Sequence, residues 1–216
     1  DDFYKTRKDR RVLSKTKHPL LMTRGVPGTH DVDLMLSFFK KVKVQNFRSL
    51  RVPKFNKAID ERCKKKLWYK IKKKPDIIIF EGWCVGAKPQ KQKQLKKSIN
   101  LLEKVHDHKG KWRLYVNNQL KTKYKKLFRQ LDGLLFLKAK SFNLLRSWRL
   151  KQERKLRLQT RNKKNLKIMS SGDIVNFMQT YQRITQQMFN DTVKDSSIVI
   201  SLNTNHQIHS MKFKTK

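Results

Sequence analysis

Two groups of residues have the types and spacing for chemistry. Glu81 follows the run Ile77-Ile78-Ile79-Phe80 and precedes Gly82-Trp83-Cys84. Four consecutive apolar residues are too few for a helix core, and their β-branched chemistry suits a strand buried on both faces. A carboxylate at the C-terminal end of such a strand stands where open α/β sheets hold their ligands. Taken alone, the same run reads more readily as an ordinary core strand whose Glu begins a loop. The second group lies in His18–Asp31, where Gly25, Pro27 and Gly28 permit a tight, irregular backbone. Arg24, Thr29, His30 and Asp31 supply donors and acceptors around that loop. Asp31 also reads as the N-cap of a helix bearing Leu34, Met35, Phe38 and Phe39, and a helix N-terminus is itself favourable to anions.

The elements that must position these groups alternate along the chain. A helix is expected over about 112–130, with Trp112, Val116, Leu120, Tyr124, Leu127 and Phe128 at helical spacing. It leads into a second apolar strand within 131–139, after which Ser141 caps a helix running to about 158. Ser170 and Asp173 form a capping-box variant opening a further helix with Ile174, Phe177, Met178, Tyr181, Ile184 and Met188 on one side. Residues 197–202 read as a third buried strand, and 203–216 as a short polar tail. Residues 40–75 are basic and weakly patterned, with a short extended piece near 52–57. Helices alternating with all-apolar strands predict an α/β fold with a mostly parallel sheet, and the length fits a single domain.

The composition restricts the function classes. The 216 residues carry 54 Lys and Arg against 16 Asp and Glu, a formal charge of +38. Such an excess invites RNA or another polyanion as partner, but the charge is spread along the chain and Lys outnumbers the Arg that reads phosphates bidentately. Compositional bias accounts for it equally well. No apolar run approaches the roughly 18–20 residues that span a bilayer, and no secretory leader is evident. Cys63 and Cys84 form no CxxC or metal pattern, which suggests a reducing, cytoplasm-like setting.

Taken in order, DDFY, HPLLMTRGVPGTHD, FEGWCVGAKP, WRLYVNNQL and SWRLKQE resemble the D-glycerate 3-kinase-like P-loop kinases of the phosphoribulokinase and uridine kinase group, from Asp1 to about Leu202. The resemblance implies a three-layer P-loop NTPase-like fold transferring a phosphoryl group from ATP, with Mg²⁺, to a small hydroxylated acceptor such as the short hydroxy acid D-glycerate. It makes Asp1 the general base or a carboxylate close to Mg²⁺, and Glu81 the acidic residue near Mg²⁺ or its waters. The loop Arg24, Thr29, His30 and Asp31 would line the acceptor pocket, with Arg24 and His30 holding a carboxylate or hydroxyl. Arg149 would open a basic lid, about 142–167, and reach the transferring phosphate.

The sequence departs from that pattern in its heavy Lys load, where such surfaces are usually mixed in charge, and in two local features. No G-x-x-x-x-G-K-[ST] stretch occurs among its seven glycines. The expectation is therefore that the first strand and phosphate loop lie upstream of Asp1, and that these 216 residues alone are impaired in transfer. Asn56 stands where the family commonly has Asp in a Phe/Tyr-Asp-Lys motif, so a charge is lost there. These departures leave a second reading, a non-catalytic basic protein of kinase-derived fold that binds RNA or another polyanion.

Overall fold

The computed structural model describes residues 2–159 and 170–214. Thr6 opens α1 (Arg7–Thr16) by accepting from the Asp9 amide, and the chain then passes through a short 3₁₀ turn, Pro19–Met22. As expected, Asp31 caps α2 (Val32–Val42), accepting from Leu34 N–H at 3.2 Å. The basic stretch that follows folds into two small antiparallel pairs. β1 (Leu50–Val52) pairs with β4 (Tyr69–Ile71), and β2 (Phe55–Asn56) pairs with β3 (Glu61–Arg62). Asn56 serves the turn between β2 and β3, its side-chain oxygen accepting from Ala58 N–H.

Short helices α3 (Gln92–Leu95) and α4 (Leu101–His106) precede one continuous helical rod: α5 (Lys111–Gln119), a π-turn (Leu120–Tyr124) and α6 (Lys125–Phe128). Trp112, Val116, Leu120 and Tyr124 are all buried although each is four residues from the last. On an uninterrupted α-helix that spacing drifts around the axis; the wider π-turn counteracts the drift and keeps Tyr124 facing the core. The chain continues through β5 (Leu135–Lys138), α7 (Phe142–Gln159), α8 (Ser171–Asn190), α9 (Thr192–Asp195), β6 (Ile198–Leu202) and β7 (Ile208–Phe213). Ser170 and Asp173 form the expected reciprocal cap of α8.

The larger sheet has the order β5-β6-β7. β5 and β6 form the expected parallel pair, with Phe136 opposite Val199. β7 adds antiparallel to β6, so the chain's end is a hairpin strand and not a polar tail. Among the described residues one ladder is parallel and three are antiparallel. The run 76–80 differs most from expectation: it joins no ladder, and Ile77 and Ile79 are 81% and 90% exposed. Apolar β-branched composition favours an extended backbone but supplies no neighbouring strand, and without one the run has only one inward face. Phe80 occupies that face, its ring 5.5 Å from that of Phe39. The core joins Leu21, Val26, Met35, Phe39, the inner face of the rod, Phe136, Ile184 and Met188.

Candidate functional site

Distant parts of the sequence are drawn together at one cavity of about 240 Å³. The segment after Asp2 lies against the end of the glycine-rich loop: Lys5 N–H donates to Thr29 O (2.9 Å), Asp31 N–H donates to Phe3 O (2.8 Å), and Tyr4 bridges His30. The β2–β3 hairpin fastens this pairing from outside. Arg62 reaches both Tyr4 O (2.6 Å) and the Asp31 carboxylate (3.0 Å), while Asp60 takes ion pairs from Arg24 and from fully buried Arg10.

Two glycines allow the loop to approach its neighbours. Gly25 has φ +131° and a Cβ there would lie 1.9 Å from Tyr181 Oη; Gly28 has φ +103° and a Cβ would lie 2.6 Å from the Tyr115 ring. Both positions require a residue without a side chain. Trp83 closes over this turn, donating from Nε1 to Gly25 O at 2.8 Å and packing edge-on to Tyr181.

The cavity is walled by Asp2, Phe3, Tyr4 and His30 on one side and by Phe80, Glu81, Trp83 and Cys84 on another, with Tyr124, Leu127 and Phe128 of the rod opposite. Although the chain is strongly basic, no Lys or Arg side chain lines it among the described residues. Two carboxylates do. Asp2 is anchored by accepting from Phe55 N–H at 2.9 Å, whereas Glu81 is exposed and takes no hydrogen bond or ion pair among the described residues. His30 stacks on Tyr4 (ring centroids 4.8 Å) and its Nδ1 lies 2.6 Å from Tyr124 Oη. Burial, helped by the positive charge of Lys5, lowers the His30 pKa from 6.5 to about 3, so the imidazole is neutral at physiological pH. Burial also pushes the Cys84 thiol up to about 12 and raises the Tyr4 and Tyr124 hydroxyls, which makes these groups neutral walls and not nucleophiles.

Of the residues singled out in the sequence, the structure brings Glu81 and His30 to the cavity. Thr29 is fully buried, accepting from Gly25 N–H and donating to Val26 O, and it shapes the loop without reaching the wall. Asp31 caps α2 and pairs with Arg62. Arg24 stands beside the cavity, its guanidinium 5.9 Å from the centre of the Tyr4 ring and 5.5 Å from that of Phe55. Arg149 does not line the cavity; it lies between α7 and α8, paired with Glu153 at 3.0 Å and stacked over Phe177. Asp1 and the end of the lid region lie outside the described residues.

The residues that sequence reasoning passed over are Asp2, Tyr4, Trp83, Tyr124, Asp60 and Arg62. Tyr124 stood in view as a core residue; its hydroxyl gave no separate signal. No cluster of three or more His, Cys, Asp or Glu suited to a metal occurs among the described residues. Mg²⁺ asks for less: one or two carboxylates, with waters and phosphates completing its shell, and unpaired Glu81 fits that role. Among the described residues no helix is long and apolar enough to cross a membrane.

No family model matches the chain. It is 28% identical over 194 residues to the uncharacterized kinase mug58 of Schizosaccharomyces pombe, covering 84% of this chain and 65% of that protein. Identity to the chloroplastic D-glycerate 3-kinase of Arabidopsis thaliana is 28% over 163 residues, 71% of this chain and 33% of that one. To the probable ATP-dependent kinase TDA10 of Saccharomyces cerevisiae it is 27% over 228 residues, 98% and 74% of the two chains. The chain thus spans less than two thirds of the length of the first two of these curated relatives. Among solved structures, the D-glycerate 3-kinase of Cryptococcus neoformans superposes with a TM-score of 0.81 at 21% identity, over 99% of this chain and 78% of that one. The YGR205w protein superposes with a TM-score of 0.73 at 25% identity, over 98% and 75% of the two chains. The resemblance to the D-glycerate 3-kinase-like P-loop kinases read from the motifs is borne out, and the α/β fold is theirs.

Proposed function

We propose that the protein takes part in ATP-dependent phosphoryl transfer to a small hydroxylated acceptor, a short hydroxy acid such as D-glycerate, and that the cavity is the acceptor side of the reaction. The observation that carries this reading is an unpaired carboxylate, Glu81, on the wall of an aromatic cavity within a glycerate-kinase-like fold. Phosphoryl transfer asks the protein for positioning and charge compensation more than for covalent chemistry.

The cavity suits the hydroxyl end of the acceptor, with His30 offering a hydrogen bond and aromatic rings excluding water. The carboxylate end of a hydroxy acid would turn toward Arg24, the cation beside Tyr4. Asp1 takes the role of base toward the acceptor hydroxyl, next in sequence to the anchored Asp2. Glu81 would hold Mg²⁺ or one of its waters; the ion, when bound, offsets charge on the phosphate oxygens. Arg149 would have to leave Glu153 to meet the transferring phosphate.

The test is ADP release by the full-length protein, since these 216 residues alone are expected to be impaired, with Mg²⁺-ATP and a panel of D-glycerate, glycerol, sugars and nucleosides. D-glycerate-dependent release is expected. Asp1→Asn should lower kcat by about 10²–10⁴-fold, and Glu81→Gln should raise the Mg²⁺ requirement by roughly 10–100-fold, each with an unchanged melting temperature. Release of ADP that none of the panel stimulates, or full turnover in both variants, would show the assignment to be wrong.

A further inference from the structure

The Tyr124 hydroxyl faces the backbone amides of Gly28 and His30 and the His30 ring. Its oxygen accepts from Gly28 N–H at 3.0 Å, and Nδ1 of His30 lies 2.6 Å away. An amide N–H can only donate, so the direction of the first bond is fixed. The hydroxyl retains one proton, and Tyr124 is 2% exposed. If Nδ1 carried the imidazole proton, the ring would donate to the hydroxyl and leave that proton without an acceptor among the described residues. A cationic ring would do the same. Buried polar groups are rarely left so. The arrangement that satisfies every group has Tyr124 Oη–H donating to a bare Nδ1, which puts the single proton of the neutral imidazole on Nε2. That nitrogen takes no hydrogen bond among the described residues, and His30 keeps partial exposure at the cavity wall.

We propose that Tyr124 is a positioning residue: with Gly28 it locks His30 in the Nε2–H tautomer, so that the ring meets the acceptor as a neutral hydrogen-bond donor. This rests on the reading of the cavity as the acceptor side, and it narrows the ligand chemistry to an oxygen with a free lone pair, from a hydroxyl or a carboxylate. The π-turn is what makes the contact, since it keeps the Tyr124 side chain on the inner face of the rod. Other charged or titratable groups surround the ring. Tyr4 stacks on it, Lys5 adds positive charge, Arg62 joins Asp31 to Tyr4 O, and the Arg24 guanidinium lies 5.9 Å from the Tyr4 ring. Glu81 and Cys84 share the cavity wall with it. Nε2 takes no hydrogen bond among the described residues, so the tautomer is set through Nδ1.

Long-range ¹H–¹⁵N correlation spectra of ¹⁵N-histidine-labelled protein test this without any need for turnover. His30 should show an unprotonated Nδ1 and a protonated Nε2 that persist from pH 8 to pH 5. The Nδ1–H form, or titration of His30 within that range, would overturn the proposal using the wild-type protein alone. In Tyr124→Phe the His30 nitrogens should shift toward an average of both tautomers while the other five histidines keep their shifts; an unchanged His30 would remove Tyr124 from the role. Adding D-glycerate with Mg²⁺-ADP should move the Nε2 resonances. ADP release stimulated by D-glycerate without any movement at Nε2 would overturn the inference and spare the kinase reading. The expected tautomer without turnover of any acceptor would do the reverse.

Discussion

Arg183 of α8 meets Glu103 of α4 in the interior, at 2.7 Å from Nε and 2.6 Å from Nη2, with the two side chains 7% and 0% exposed. The guanidinium also donates to Gln90 Oε1 and to the carbonyls of Gln94 and Lys97, and Glu103 accepts a further bond from Ile99 N–H. This pair holds the segment 90–99, which contains the single-turn α3, against α8. A buried pair gains little over apolar packing, but a lone buried charge is costly. Arg183→Met should therefore destabilise the protein by about 3–5 kcal/mol in urea titrations. Adding Glu103→Leu should recover a large part of that, because no charge is then left without a partner. A single variant within about 1 kcal/mol of wild type would mean that water reaches Glu103, a direct contradiction of its burial.

At the level of elements, burial separates conformation from pairing. Ile79 and Val199 both belong to apolar β-branched runs, yet Ile79 is 90% exposed and Val199, on β6, 5%. Ile79→Lys should change stability by no more than about 0.5 kcal/mol, the usual range for exposed positions, while Val199→Lys places a charge between strands and helices and should prevent folding. Equal penalties for the two would show 76–80 to be a buried strand after all. The contrast also marks how far the sequence could be read. Elements with strong local signals were legible: the capped helices α2 and α8, the rod through Tyr124, and the parallel strands β5 and β6. α1 was missed although Thr6-x-x-Asp9 is a cap, because its buried residue is Arg10 and not an apolar one. β7 was missed because its side chains are largely exposed and its run is interrupted by polar residues. At the site, Glu81 and His30 could be found from their surroundings in sequence. Asp60 and Arg62 could not, since they act through contacts with residues 31 to 58 positions away, which no local pattern records.

On the scale of the whole molecule, 54 basic residues face 16 acidic ones, and the acids are used selectively. Asp31, Asp60, Glu103, Asp107 and Glu153 each pair with an arginine. Exposed pairs such as Lys123–Asp33 and Lys88–Asp195 contribute at most about 1 kcal/mol each. Most lysines are therefore left to repel one another, and compaction brings them closer than they stand in the unfolded chain. Added salt screens that repulsion, as the Debye length falls from about 30 Å at 0.01 M to about 10 Å at 0.1 M. The buried arginine pairs are screened far less, so the balance runs toward stabilisation. The melting temperature should rise by several degrees between 10 and 300 mM ionic strength, an effect of about 1 kcal/mol by the usual scaling. NaCl and KCl should act alike, because screening depends on ionic strength and not on which cation is present. A melting temperature that falls with salt would mean that exposed ion pairs outweigh the repulsion of the lysine-rich surface.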